Sequence, residues 1–140
     1  MNDIEIINSG KVISRIVTGE WISDILPQLK GYRKVYVIYD KNVSALAGSI
    51  SEMIEDHYPS VLGGMMGIHA SEQTKNLDTV MGICSFLLDN NADRKSLVLG
   101  IGGGITTDMT GFAASIYKRG VKFAFVPTTL LAQVDAAIGG

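Results

Sequence analysis

The chain opens on two short β-prone runs. Ile4 to Ile7 and Lys11 to Val17 are rich in Ile and Val, and Asn8-Ser9-Gly10 between them is a turn signal, so together they predict a hairpin. Trp21, Ile22, Ile25, Leu26 and Leu29 then recur at helical spacing. That spacing predicts a helix ending near Gly31, with Pro27 as a kink.

Val35-Tyr36-Val37-Ile38-Tyr39 is apolar without alternation, which suits a strand buried on both faces of a parallel sheet, with Asp40 at its carboxyl end. Val43, Leu46, Ala47, Ile50, Met53 and Ile54 predict an amphipathic helix, stopped before Tyr58-Pro59 because the residue preceding proline is pushed out of the helical region. The Gly- and Met-rich piece from Val61 to Ala70 reads as a loop and then a strand. Leu77, Val80, Met81, Cys84, Leu87 and Leu88 predict a third helix, followed by a polar turn and a strand from Ser96 to Ile101. Met109, Phe112, Ala113 and Ile116 mark a helix rich in small residues, Val121 to Val126 a strand, and Pro127 opens the last segment. Strands and helices in alternation with short joins predict an α/β fold: a Rossmann-like, mainly parallel sheet with flanking helices.

Composition narrows the function classes. With 140 residues the chain fits one domain, and 46% hydrophobic against 19% charged residues excludes a disordered polypeptide. A net charge of -2 leaves no broad cationic surface for a phosphate backbone, so nucleic acid is not an expected partner. Cys84 is the only cysteine; no internal disulfide can form, and its apolar surroundings suggest a buried thiol in a reduced, cytoplasmic compartment. Met1 to Gly10 lacks a signal-peptide pattern, and no run reaches the roughly 18 apolar residues of a membrane span. The chain stops in a small apolar segment, Ala136 to Gly140, which reads as an interrupted protein.

The sharpest local signal is Gly100-Ile101-Gly102-Gly103-Gly104, set where a strand ends and a helix begins. Residues without a Cβ let a pyrophosphate approach the backbone, and the following helix offers free N–H groups and the positive end of its dipole. A tight turn with no ligand is the alternative. The standard dinucleotide fingerprint is incomplete, since Ile105 stands where its third glycine falls and no acid follows about 20 residues on. Asp40 and Asn42, upstream, end an earlier strand where a carboxylate can accept from ribose hydroxyls; spacing alone favours an N-cap or turn residue.

Glu72 and Lys75 lie three apart and can share a face at a helix start, either toward a ribose or base edge or as an exposed ion pair after Ser71. Asp108 falls in the first turn after the glycine loop, where the helix dipole stabilises a carboxylate. Lys118-Arg119 offers guanidinium geometry suited to a phosphate, or is a plain surface loop. Thr128 and Thr129 either cap the next helix or face a cofactor. Asp135 sits in the apolar run Leu130 to Ile138, where a buried lone acid is costly unless paired, making it a functional candidate. His57 and His69 lie in unrelated segments, so no metal site is expected from this chain.

Taken as a string, Gly102-Gly103-Gly104-Ile105-Thr106-Thr107-Asp108 through Gly111-Phe112-Ala113-Ala114, then Arg119-Gly120-Val121 and Val126-Pro127-Thr128-Thr129-Leu130-Leu131-Ala132-Gln133-Val134-Asp135, closely resembles the 3-dehydroquinate synthases. Ser71-Glu72-Gln73-Thr74-Lys75 looks like that family's Gly-Glu-x-x-Lys, and Tyr39-Asp40-Lys41-Asn42-Val43 extends the resemblance backward. It departs at Thr107 and Ser71, where glycines are usual. The resemblance implies a two-domain enzyme: residues 1–140 would be the NAD-binding domain, and a helical domain holding zinc or cobalt would be missing from the chain. It implies NAD contacts at Asp40, Asn42, Glu72, Lys75, Gly103, Gly104, Ile105, Asp108, Thr128, Thr129 and Leu131, with Asp135 at the reacting centre. Arg119 would be a phosphate contact reaching across a homodimer. The implied reaction belongs to the shikimate pathway: transient oxidation of DAHP by NAD, loss of phosphate, return of the hydride and ring closure to 3-dehydroquinate. This chain alone is expected to be inactive. Other readings are a polyol or glycerol dehydrogenase, another sugar-phosphate cyclase of the same fold, or a nucleotide-binding module without catalysis.

Overall fold

The computed structural model describes residues 2–139. The chain divides into two compact units between Lys30 and Gly31. In the first, β1 (Asn2–Asn8) and β2 (Lys11–Thr18) pair antiparallel as the hairpin predicted. Ser9 and Gly10, at φ 50 and 76, both take the positive φ that a two-residue type I′ turn requires. Ile4 stands opposite Ile16 on one face, while on the other Arg15 holds Glu5 at 2.7 Å and Asp3 at 3.6 Å. The helix expected next is divided: a 3-10 turn, Ile22–Ile25, leads into α1 (Leu26–Leu29). Pro27 stands in the first turn of α1, where a missing N–H breaks no helical bond, so no kink is needed.

The second unit runs β3 (Val35–Asp40), α2 (Ser44–His57), β4 (Leu62–Ile68), α3 (Leu77–Asp89), β5 (Leu97–Gly102), α4 (Gly104–Ile116) and β6 (Lys122–Pro127). A π-helical turn, Ala132–Ala136, and α5 (Ala137–Gly139) follow. The four strands form one parallel sheet in the order β4-β3-β5-β6. The unalternated apolar runs become the two central strands, β3 and β5, because only there are both faces covered. On one face Tyr36, Ile38 and Val98 pack with Val80, Ile83 and Leu87 of α3 and Met109, Ala113 and Ala114 of α4. α2, whose buried Ala47, Ile50 and Ile54 lie outside that cluster, packs on β3 and β4. Side-chain alternation turns Val35 and Val37 to the other face of the sheet.

α4 lies close on β5 because glycines face its threonines. A Cβ on Gly100 would come within 3.1 Å of Thr110 Cγ2, and one on Gly102 within 2.8 Å of Thr106 Cβ. Both threonines are fully buried and their hydroxyls have no hydrogen-bond partner. A buried unpaired hydroxyl is costly, and valine has the same shape without it. Thr110→Val is therefore expected to raise stability by about 1 kcal/mol. A urea melt showing unchanged or lower stability would count against this.

Candidate functional site

Parallel strands bring all their carboxyl ends to one edge. From β3 the chain moves to β4 on one side and then lays β5 on the other side of β3, so the connection reverses between β3 and β5. In open α/β sheets the crevice outside such a reversal is where ligands bind. Two candidate segments flank it: Asp40 after β3, and the glycine loop after β5.

Gly102 ends β5, Gly103 is the N-cap of α4, and Gly104 is its first residue. Gly103 has no side chain with which to cap the helix, so the orphan N–H groups of the first turn remain open to an anion. The bare backbone is only partly open. A Cβ on Gly103 would lie 3.0 Å from Thr129 Cγ2, and one on Gly104 would lie 3.2 Å from Ala136 Cβ. The chain's own final segment therefore uses part of the space the glycines leave. Thr128 N–H donates to Gly102 O at 2.9 Å, tying the end of β6 to the loop. Thr129 Oγ1 accepts from Ala132 N–H at 3.2 Å, as a capping hydroxyl does. Capping and proximity to the loop, alternatives in the sequence, coincide here.

Asp40 accepts from Asn42 N–H at 2.9 Å and caps the 3-10 turn Lys41–Val43, as spacing alone favoured. Asn42 itself is exposed. Glu72 and Lys75 do not open a helix. They lie in and just after a turn closed by Thr74 N–H to Ser71 O, while α3 starts at Leu77 under Asn76, whose Oδ1 accepts from Thr79 N–H at 2.9 Å. Nor do they pair with each other. Lys75 Nζ lies 2.9 Å from Asp108 Oδ2, and that hydrogen bond holds the lysine pKa above its ordinary value. Asp108 lies in the second turn of α4, not the first, because the helix begins at Gly104. Its partner is thus a lysine 33 residues away rather than the helix dipole.

A family model described as 3-dehydroquinate synthase N-terminal matches residues 65–140. The chain belongs to this family. Among its relatives, the 3-dehydroquinate synthase of Pelagibacter ubique is 43% identical over 112 residues, covering 78% of this chain and 29% of that protein. The 3-dehydroquinate synthase of Sulfurovum sp. is 40% identical over 124 residues, covering 89% and 35%. The chain spans about a third of the length of these relatives. Among solved structures, the 2-epi-5-epi-valiolone synthase of Streptomyces hygroscopicus subsp. jinggangensis, with NAD+ and Zn2+ bound, superposes with a TM-score of 0.79 at 24% identity, over 97% of this chain and 38% of that one. That likeness bears on the fold.

In this member of the synthase family the remaining candidates fall in three places. The Ile105 side chain packs against the core, leaving its backbone to the loop. Leu131 and Asp135 are exposed on the final segment. The expectation of a costly buried acid at Asp135 is not met, because the apolar run around it points outward: Leu130 is 75% exposed and Val134 63%, so Asp135 keeps its water. Arg119 lies at the opposite edge of the sheet, past the far end of α4. Thirteen helical residues at about 1.5 Å each separate it from the glycine loop by roughly 20 Å, so within one chain the two do not meet.

His57 and His69 are exposed, and among the described residues no group of three or more His, Cys, Asp or Glu is placed to hold a metal ion. Cys84 is half-buried rather than fully enclosed, and burial pushes its thiol pKa up. Among the described residues no helix is long and apolar enough to cross a membrane. Two contributors had no signal in the sequence: the Lys75–Asp108 pair, because its members are remote along the chain, and Ala136, an unremarkable small residue until it meets Gly104.

Proposed function

We propose that residues 1–140 form the NAD-binding part of a 3-dehydroquinate synthase, a lyase that converts DAHP to 3-dehydroquinate and phosphate. The observation that carries this reading is the uncapped glycine loop beside the topological reversal of the sheet, in a chain of this family. The residues suit the cofactor: the first-turn N–H groups behind Gly103 and Gly104 receive a pyrophosphate, and Ile105 contributes through its backbone. Asp40 and Asn42 meet ribose hydroxyls across the crevice. Glu72 and the joined Lys75 and Asp108 present charged edges beside it, and Thr128, Thr129 and Leu131 line its far wall. When bound, NAD supplies the transient oxidation of a substrate alcohol. A zinc or cobalt ion, held by residues outside this chain, supplies Lewis acidity.

Asp135 stands exposed on the segment packed against the loop, free to hold or pass a proton at the reacting centre. Arg119 meets the substrate phosphate from the second copy of a homodimer, a reading supported by its distance from the loop within one chain. A lone cysteine in apolar surroundings supports a reduced, cytoplasmic address.

The test feeds DAHP and NAD to the longer protein and to the 140-residue chain. The longer protein is expected to release phosphate with no net NADH. The short chain is expected to bind NAD weakly and release none. NADH accumulating with a polyol would establish a dehydrogenase instead, and phosphate release by the short chain would sink the two-part reading.

A further inference from the structure

The carboxyl end of α3 and the start of β3 border an open polar hollow that the proposed function does not use. Its volume is about 390 Å3, within the range of small-molecule sites. Arg33, Lys34, Leu62, Asp89, Asn90 and Asn91 line it, with fully buried Tyr36 beneath. The hollow opens at β3 and β4, at the edge of the sheet away from the glycine loop. It lies two and three strands from β6, before which Arg119 stands.

Its two sides differ in charge. On one, Lys34 Nζ donates to Ser60 O at 2.6 Å and Arg33 holds Asp93 at 2.7 Å, so both cations are kept beside the hollow. Each retains further N–H groups for a ligand. On the other side Asp89 is the last residue of α3, and no basic residue accompanies it in the last turn. A carboxylate there meets the negative end of the helix dipole, which is unfavourable unless positive charge comes to it. Among the described residues neither Asp89 nor Asn91 has a side-chain partner. Asn90 is fixed between them: Tyr36 Oη donates to its carbonyl at 2.7 Å, and its Nδ2 donates to Phe86 O at 2.8 Å, leaving Oδ1 as an open acceptor.

We propose that this hollow binds a small zwitterion, with its carboxylate against Lys34 and Arg33 and its ammonium against Asp89, Asn90 Oδ1 and the carboxyl end of α3. An ion of one sign fits less well. A lone anion would face Asp89 and the negative end of the helix, and a lone cation would face Lys34 and Arg33. Because the hollow is open to water, each ion pair contributes little, and binding is expected in about the millimolar range. The proposal does not depend on the NAD reading of the glycine loop.

The test titrates β-alanine and γ-aminobutyrate into the 140-residue chain and follows backbone amide shifts, with acetate and methylammonium as singly charged controls at matched ionic strength. At least one zwitterion is expected to shift the amides of Lys34, Gly63 and Asp89 to Asn91, and neither control to do so at the same concentration. Asp89→Asn removes the conflict with the helix dipole, so the variant should fold at least as well as the parent. It is nevertheless expected to bind about threefold more weakly, as the loss of one exposed ion pair implies. Asp78→Asn, the same change at the other end of α3, should leave binding as it was. Shifts as large with either control, shifts elsewhere than the hollow, no shift with either zwitterion, or equal affinity of Asp89→Asn and the parent overturns the proposal.

Discussion

Gly103→Val is expected to lower the affinity of this chain for NAD by about a hundredfold, or roughly 3 kcal/mol. Gly103 sits at φ -82 and ψ -167, extended backbone that valine adopts readily, so the fold should survive the change. What the loop loses is room. The first Cβ already comes within 3.0 Å of Thr129 Cγ2, and the branches of valine must either displace that residue or stand over the first-turn N–H groups. Calorimetry with NAD on the folded variant reads the effect directly. Equal affinity would remove the glycine loop from the cofactor site.

Gly63→Ala is expected to destabilise the fold by about 3 kcal/mol, the largest stability effect we anticipate from adding one methyl group. The register between β3 and β4 shifts between Val35 and Tyr36, leaving Gly63 beneath the tyrosine ring. A Cβ there would lie 2.3 Å from Tyr36 Cε1 and 2.4 Å from Cζ. The ring is held in place. It is fully buried, meets Phe86 edge-on at 6.3 Å, and donates its hydroxyl to Asn90 O at 2.7 Å, so moving it breaks a part-buried hydrogen bond as well as packing. Urea melts of Gly63→Ala and of Gly63→Ala/Tyr36→Leu should be strongly non-additive, because the second change removes the two closest contacts. A single-variant loss below about 0.5 kcal/mol would show that the strand slides to accommodate the methyl.

Much of this architecture was legible along the chain. The buried character of Val35 to Ile38, the stop before Pro59 and the glycines at the end of β5 each follow from neighbours within a few residues. The capping roles of Asp40 and Thr129 were legible for the same reason, since an Asp or Thr side chain reaches only nearby N–H groups. The burial expected at Asp135 was not met because an apolar run says that side chains avoid water somewhere, not which way a particular helical turn faces.

By itself, then, the sequence determined the order and kind of the elements, the bare strand-to-helix turn and the family, because periodicity, turn chemistry and motif spacing are local properties of the chain. Only the tertiary structure decided that Lys75 answers Asp108, that Ala136 fills space beside Gly104, and that Arg119 stands at the far edge from the glycine loop. Those meetings depend on strand order, β4-β3-β5-β6, and on the close seating of α4 on β5. Packing of the whole core sets both.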